Sequence, residues 1–223
     1  SFATIGQYTY YFELANVPKI ESFEKHSDAY DQWFEKNHAL YEAELEVIRQ
    51  LIPPGTEGVE VGVGSGRFAA PLGIKIGVEP SEKMALKARK QGIEVYPGVA
   101  ENLPFPDNSF DFVLMVTTIC FVDDIANSFA EAFRVLKPKA IIIVGFIDKE
   151  STMGKHYEAK RHDSKFYKNA NFFSTQEVIK HLNSAGFQES EIKQTLLPGA
   201  APETILDGFG KGAFVAIKAT KQL

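Results

Sequence analysis

A run of glycines directly after an apolar stretch constrains this chain more than any other feature. Residues 59–61 lead into Gly62, Gly64 and Gly66, each separated from the next by one residue. Glycine permits the tight turn and the close approach to a ligand that the first strand-to-helix turn of a doubly wound α/β sheet requires. The dinucleotide fingerprint G-x-G-x-x-G would need a glycine where this chain has Arg67. The loop is therefore the predicted ligand site, and its spacing disfavours a dinucleotide.

Strand and helix patterns alternate after this loop, which predicts a parallel sheet with right-handed crossovers. A capping box at Ser174 and Glu177 begins the last predicted helix. The predicted helices are 38–52, a short one after the glycine loop, one that Ser81 caps and Gly92 ends, 124–136, and 174–186. The predicted strands are 58–62, 74–78, 93–96, 110–116, 141–146, 190–197 and 213–219.

The helix over 38–52 is predicted from its apolar period, because Tyr41, Leu45 and Ile48 recur at spacings of four and three. Such a period places the apolar side chains on one face and the charged ones on the other. The charged residues expected mostly to face water are Glu42, Glu44, Glu46 and Arg49.

Four ordered motifs between residues 58 and 146 resemble those of class I S-adenosylmethionine-dependent methyltransferases. The acidic-x-Gly-x-Gly-x-Gly stretch at 60–66 resembles the first motif, and Glu79, at the end of the next apolar run, resembles the family's ribose-binding acid. The segment 101–111 resembles the lead into the fourth strand, and the Arg-Val-Leu-Lys-Pro stretch at 134–138 resembles the helix end before the fifth. The closest resemblance is to the branch that methylates small molecules and quinone-type rings.

The resemblance implies a Rossmann-like three-layer α/β sandwich with a seven-stranded, mostly parallel sheet in the order 3-2-1-4-5-7-6. A single methyltransferase domain would cover residues 1–223. Its expected parts are N-terminal cap helices at 1–52, a cofactor-binding core at 53–148, a substrate lid at 149–172, and the last helix with an antiparallel strand pair at 173–223.

The resemblance also implies S-adenosyl-L-methionine as the cofactor. The glycine loop would lie against its methionyl part, Glu60 would help hold its ammonium, and Glu79 would accept hydrogen bonds from its ribose. The family commonly has an aspartate for adenine at the position of Val99, so adenine would be held by packing and backbone groups. The expected cofactor-binding residues are Tyr30, Glu60, Gly62, Val63, Gly64, Gly66, Glu79, Pro80, Ser81, Met84, Val99, Ala100, Glu101, Val116 and Thr117.

Two irregular segments are the expected source of the acceptor site. The stretch 29–34 is similar to a Tyr-Asp-x-Trp element that folds over the cofactor in this branch, although a helix packing its rings on the sheet edge is an equal alternative. His156 and His162 are candidate bases in the lid, but histidines on a mobile surface loop are the commoner case. The expected substrate-binding residues are Trp33, Thr118, Phe121, His156 and Tyr157, and no catalytic residue is predicted.

Composition limits the partners and the compartment. A net charge of −5 argues against a nucleic-acid substrate, because phosphate backbones are bound by clusters of Lys and Arg. No apolar run approaches the length of a membrane span, and residues 1–11 lack a signal-peptide pattern, so a cytoplasmic location is expected. The single cysteine, Cys120, excludes an internal disulfide and is expected to be a buried small apolar residue. No metal is expected, because the six-residue spacing of the two lid histidines does not fit a helical metal pair.

The sequence therefore predicts a methyltransferase that transfers a methyl group from S-adenosylmethionine directly, in line, to a small-molecule acceptor. Two alternatives stay open: a nucleotide-dependent oxidoreductase, against which Arg67 counts, and a cofactor-binding protein without catalysis, for which Val99 is a hint. The acceptor atom and the oligomeric state are not constrained.

Overall fold

The computed structural model describes residues 20–222. Two helices precede the sheet: α1 (Glu21–Lys36), which is kinked at His26, and α2 (His38–Leu51). The helix predicted over 38–52 is confirmed, and the cap contains a second helix over the stretch 29–34. The expected cap residues 1–19 and the pattern considered at 1–11 lie outside the described residues.

The core alternates strands and helices as the sequence predicts, with boundaries within about three residues for most elements. Its first half contains β1 (Gly58–Val61), α3 (Ala69–Leu72), β2 (Ile76–Val78), α4 (Glu82–Lys90), β3 (Glu94–Tyr96) and β4 (Phe110–Val116). Its second half contains α5 (Ile125–Val135), β5 (Leu136–Ile147), α6 (Thr152–Ala159), α7 (Thr175–Ser184), β6 (Phe187–Thr195), β7 (Leu206–Asp207) and β8 (Phe214–Lys221).

The strands form one sheet in the order β3-β2-β1-β4-β5-β8-β6-β7. Strands β1 to β5 are parallel, and β8 enters antiparallel between β5 and β6. The predicted order 3-2-1-4-5-7-6 is confirmed for the seven main strands. The eighth strand, β7, is a two-residue edge strand within the loop that precedes β8, where Leu206 and Asp207 pair with β6.

Strand β5 begins earlier than predicted, at Leu136 instead of residue 141. Leu136 is already extended, with φ −78° and ψ 138°, and it pairs with Phe110 of β4. Pro138 disfavours helical geometry at the residue before it, and Lys139 has a positive φ of 64°. The Leu-Lys-Pro stretch is therefore an irregular strand beginning and not the end of a helix.

Alternate residues of the central strands enter two apolar layers, one on each face of the sheet. On β4, Val113 and Met115 pack on the face covered by α5 and α7. Phe112 and Leu114 pack on the opposite face, which α2, α3 and α4 cover. This burial on both sides confirms the three-layer sandwich and leaves the carboxyl ends of the strands as the open edge of the sheet.

The segment 149–172, predicted without regular structure, contains α6 and two 3₁₀ turns, Arg161–Asp163 and Tyr167–Asn169. The Ser151 hydroxyl caps α6 by accepting from the backbone N–H of Gly154. The backbone N–H of Asn171 donates to the Cys120 carbonyl. The predicted capping box of Ser174 and Glu177 is confirmed at the start of α7. No helix within residues 20–222 is both long and apolar enough to cross a membrane.

Candidate functional site

A cavity of about 400 Å³ lies between the carboxyl ends of the parallel strands and the two cap helices. Its volume is in the range of small-molecule sites, and its position is where ligands collect in open α/β sheets. The structure places most of the predicted site residues on its wall: Tyr30, Gly62, Gly64, Glu79, Pro80, Met84, Val99, Ala100, Glu101, Val116, Thr117, and, from the acceptor set, Trp33, Thr118, Phe121 and Tyr157.

Five predicted residues do not line the cavity. His156 is exposed on α6, as is His162 beyond it, so neither candidate base faces this space. The other four lie behind the wall and support it. They are Glu60, Val63, Gly66 and Ser81.

The glycine loop is fixed to β2 by its backbone. The N–H groups of Gly62 and Val63 both donate to the Val78 carbonyl, at 2.8 and 3.0 Å. Gly62 has a φ of 72°, and a Cβ there would lie 2.6 Å from the side chain of Thr118. At Gly64, with φ 56°, a Cβ would meet nothing nearer than the Met84 methyl at 3.6 Å. Without a Cβ at Gly62 and Gly64, the loop backbone itself lines the cavity, which suits a ligand that lies close against it.

Glu79 lies at the end of β2 with both carboxylate oxygens bonded to backbone. Oε2 accepts from the Gly64 N–H and Oε1 from the Ser81 N–H, each at 2.9 Å. Burial raises the pKa of Glu79 to about 7, against the lowering effect of these two bonds. A carboxylate oxygen has more than one lone-pair site, so each can accept a further bond from a ligand in the cavity.

Glu60 is buried beneath the loop, and its Oε2 has no hydrogen-bond partner within the described residues. Burial raises its pKa well above the ordinary value, the backbone N–H of Ala69 opposes that rise, and the charge of Glu79 adds to it. A buried carboxyl oxygen without a partner is unfavourable. Glu60 is therefore a polar group available to a ligand atom that reaches the loop.

Ser81 supports the site from behind by capping α4. Its hydroxyl accepts from the Met84 N–H and donates to Glu24 of α1 at 2.6 Å. The predicted capping role of Ser81 is confirmed. The bond to Glu24 also ties the cap to the end of β2.

Asp31 links the cap to the glycine loop. The Tyr-Asp-x-Trp stretch contains this residue, but no role was predicted for its carboxylate. One carboxylate oxygen accepts from Ser65 at 2.7 Å and from Arg67 at 3.0 Å, and the other accepts from Lys87 at 2.8 Å. Burial raises the pKa of Asp31, but the bonds from Lys87, Ser65 and Arg67 outweigh burial and lower it overall. Arg67, the residue that disfavours a dinucleotide, is thus held by the cap through its Nε.

Aromatic rings form the other half of the cavity. Tyr157 and Tyr167 stack at a centroid distance of 5.3 Å, and Phe121 stacks on Tyr167 at 5.9 Å. Phe23 and Phe166 extend this cluster towards Tyr30. Phe23, Phe166 and Tyr167 were not predicted, because they come from segments whose sequence has no clear period.

Glu44 is the second buried acid on the cavity wall, and its predicted position is wrong. It was expected to face water, but it is 5% exposed and lines the cavity beside α6. Burial raises its pKa to about 8. Tyr41, Glu44 and Ile48 are three and four residues apart and therefore share one helical face, so the spacing could have revealed this position.

Two further predictions can be compared with the structure. Cys120 is half-buried and not buried as expected, with its Sγ 3.0 Å from the Thr117 carbonyl. Among residues 20–222 no group of three or more His, Cys, Asp or Glu side chains is arranged to hold a metal ion.

Comparison with known proteins identifies the relatives of this fold and site. Residues 59–144 match a family model described as a methyltransferase domain. An uncharacterized protein of Methanocaldococcus jannaschii is 45% identical over 202 residues, which cover 89% of this chain and 98% of that protein. A ubiquinone/menaquinone biosynthesis C-methyltransferase of Rickettsia bellii is 35% identical over 119 residues, or 45% of this chain and 47% of that enzyme.

The crystal structure of a Thermotoga maritima protein agrees over the whole fold. It is called a "SAM-dependent methyltransferase, possible histamine N-methyltransferase", is 49% identical, and superposes with a TM-score of 0.87. The match covers 91% of this chain and 100% of that one. The likeness therefore extends over most of the chain and not over the central motifs alone.

Proposed function

The chain belongs to the class I S-adenosylmethionine-dependent methyltransferases, and from this premise we propose that its acceptor is a small molecule that binds in the aromatic half of the cavity. One observation supports this proposal above the others. A single cavity runs from the glycine loop to the rings of the cap, so donor and acceptor can share it.

The residues at the strand ends suit the methyl donor. Gly62 and Gly64 would lie against its methionyl part, and Glu79 would accept hydrogen bonds from the two ribose hydroxyls. Glu60 would provide its partnerless oxygen to the ammonium. S-adenosylmethionine supplies, when bound, a methyl group already activated by the positive charge on sulfur.

The adenine would lie between Pro80, Met84 and the turn after β3. Val99 and Ala100 line this part of the cavity, and one carboxylate oxygen of Glu101, Oε1, accepts from the backbone N–H groups of Asp123 and Asp124 at 2.6 and 3.1 Å. Packing and backbone groups would therefore hold the ring, in place of the aspartate that the family commonly uses. Val116 and Thr117 would close the opposite wall.

Within the acceptor half, the chain's task is to orient a nucleophilic atom and to exclude water. The rings of Phe121, Tyr157 and Tyr167 form an apolar surface that does both. Neither His156 nor His162 reaches this surface. We therefore assign no general base to the lid histidines, and the acceptor atom must be nucleophilic without them.

Neither alternative function is supported. Arg67 is bonded to Asp31 and not turned towards a bound dinucleotide, which counts against the oxidoreductase.

The relatives suggest two acceptor chemistries, since the name of the Thermotoga protein refers to histamine and that of the Rickettsia enzyme to quinone rings. Both are small molecules.

Calorimetry and a transfer assay test the proposal together. We expect the purified protein to bind S-adenosylmethionine and S-adenosylhomocysteine and to show no heat with NAD⁺. Incubation with donor carrying a labelled methyl group and a metabolite extract should give a labelled product of low molecular mass. Label found only in protein or nucleic acid would overturn the small-molecule proposal.

A further inference from the structure

Glu44 is a carboxyl group on the wall of the acceptor half without an ion pair or hydrogen bond among the described residues. We infer that Glu44 recognises a positively charged nitrogen of the acceptor, which makes the acceptor a small amine. This inference rests on the proposed function, since it concerns the acceptor of that same site.

Energetics argue against a purely structural role for Glu44. A buried carboxyl without a partner destabilises a protein, and an apolar side chain of similar size would pack there more favourably. Burial is the one cause of its raised pKa, and no nearby basic group counters it. Buried groups of this kind concentrate at binding and catalytic sites.

The charges around the cavity all have the same sign. The charged side chains on its described wall are Glu44, Glu79, Glu101, Asp123 and Asp124, and the described wall contains no Lys, Arg or His. A carboxylate or phosphate on the acceptor would find no opposite charge here. An ammonium would find one at Glu44, the acid that lies closest to the acceptor rings.

Three tyrosines from separate elements line the same cavity as Glu44. Tyr30 of α1, Tyr157 of α6 and Tyr167 of the second 3₁₀ turn have raised pKa values, first because they are buried and in part because of the charge on Glu44. Aromatic faces attract cations. A carboxylate among stacked rings is therefore a suitable site for an ammonium carried on an apolar or aromatic body.

Tyr30 is the ring of this group that borders the glycine loop, since its hydroxyl lies 3.7 Å from the position that a Cβ of Gly64 would take. Glu44 belongs to α2 and lines the same cavity as Tyr157 and Tyr167 of the lid segment. The donor has its own acids in Glu60 and Glu79, which leaves Glu44 for the acceptor.

The test compares an amine with its neutral analogue on protein saturated with S-adenosylhomocysteine. The probes are 2-phenylethylamine and 2-phenylethanol, measured by calorimetry at pH 9, above the pKa of about 8 that burial gives Glu44. We expect the wild type to bind the amine at least about tenfold more tightly, because hydrogen bonds to charged groups are stronger than neutral ones. Glu44→Gln should abolish that preference, and Glu42→Gln, on the exposed side of the same helix, should retain it.

Each result has one meaning. Equal or absent binding of the amine and the alcohol by the wild type overturns the inference, as does a Glu44→Gln protein that still prefers the amine. Weaker S-adenosylhomocysteine binding by Glu44→Gln would assign Glu44 to the donor and also overturn it. If the wild type does not bind S-adenosylhomocysteine at all, the proposed function fails instead. Unchanged donor affinity in Glu44→Gln also shows that the variant is folded.

Discussion

The two halves of the cavity use acids in opposite ways. In the donor half, Glu79 is bonded through both oxygens to backbone N–H groups that belong to the glycine loop and to α4. In the acceptor half, Glu44 has no bonding partner among the described residues, and its neighbours are aromatic rings. The donor half is thus organised before its ligand arrives, except for the partnerless oxygen of Glu60. In the acceptor half, the buried carboxyl of Glu44 is left without a bonding partner in the described part of the chain until a ligand binds.

The difference shows that burial of Glu44 lowers the free energy of unfolding. Two backbone bonds offset part of the cost of burying Glu79, whereas no bond from the described residues offsets the cost of burying Glu44. Three substitutions test this difference.

The largest effect is expected from Glu44→Leu, which should stabilise the protein in a pH-dependent manner. The pKa of Glu44 is raised from 4.5 to about 8 by burial, so its charged form is penalised in the folded state. The penalty is absent below pH 4.5, grows as pH rises and is complete above pH 8. At about 1.4 kcal/mol per pKa unit, the variant should gain roughly 4 kcal/mol between those limits.

Chemical denaturation at pH 5 and pH 9 measures this gain. The matched control is Glu42→Leu, whose side chain in the wild type is 50% exposed, and its free energy of unfolding should change by less than about 0.5 kcal/mol at either pH. A Glu44→Leu protein less stable than the wild type at pH 9 would show that Glu44 has a partner after all.

Glu79→Ala should have the next largest effect, on donor affinity. Charged hydrogen bonds contribute ~1.5–3 kcal/mol each, so loss of the ribose contact should weaken S-adenosylhomocysteine binding by roughly ten- to a hundredfold. Calorimetry gives the value directly. Glu82→Ala is the control, because that acid pairs with Arg89 on the outer side of α4. Unchanged affinity in Glu79→Ala would remove Glu79 from the proposed donor site.

The smallest effect is expected from Asp31→Asn, which weakens the ion pairs that join α1 to Arg67 after the glycine loop and to Lys87 of α4. Loss of the charge that binds Arg67 and Lys87 should lower the free energy of unfolding by about 1 kcal/mol. Because the pKa of Asp31 is lowered, this contribution is present above pH 3.8 and disappears as pH falls below it.

Hydrogen exchange of the α1 amides should therefore speed up in Asp31→Asn at neutral pH, since the cap opens more easily. Asp28→Asn is the control, because the Asp28 side chain contacts the same lysine but is 87% exposed. Equal exchange in the two variants would show that Asp31 does not anchor the cap.

Most of the fold could be predicted because its elements are periodic and their ends carry clear signals. Gly62, Ser81 and Glu79 follow from local rules on turns, caps and strand ends, and the structure places Gly62 and Glu79 on the cavity wall. The strand order was predicted from the family resemblance, since the rules for parallel strands with helical crossovers alone leave several topologies open.

The rest depends on contacts between distant segments. Glu44 was placed towards water because acids usually are, although its spacing from Tyr41 and Ile48 puts it on the buried face. The start of β5 at Leu136 is determined by its pairing with Phe110. No local sequence pattern predicts that pairing. Phe23, Phe166 and Tyr167 meet only after the cap and the lid segment have packed together.

The bonds of Asp31 and Glu24 also have a consequence for the order of events during synthesis. These residues leave the ribosome early, yet their partners Ser65, Ser81 and Lys87 lie 34 to 57 positions further along the chain. Contacts across such separations form slowly, because a long loop must close first. We expect α1 to dock only after β1, β2 and α4 have assembled. The acceptor half of the cavity is therefore completed last, by α1, which is the first helix of the described chain to be synthesised.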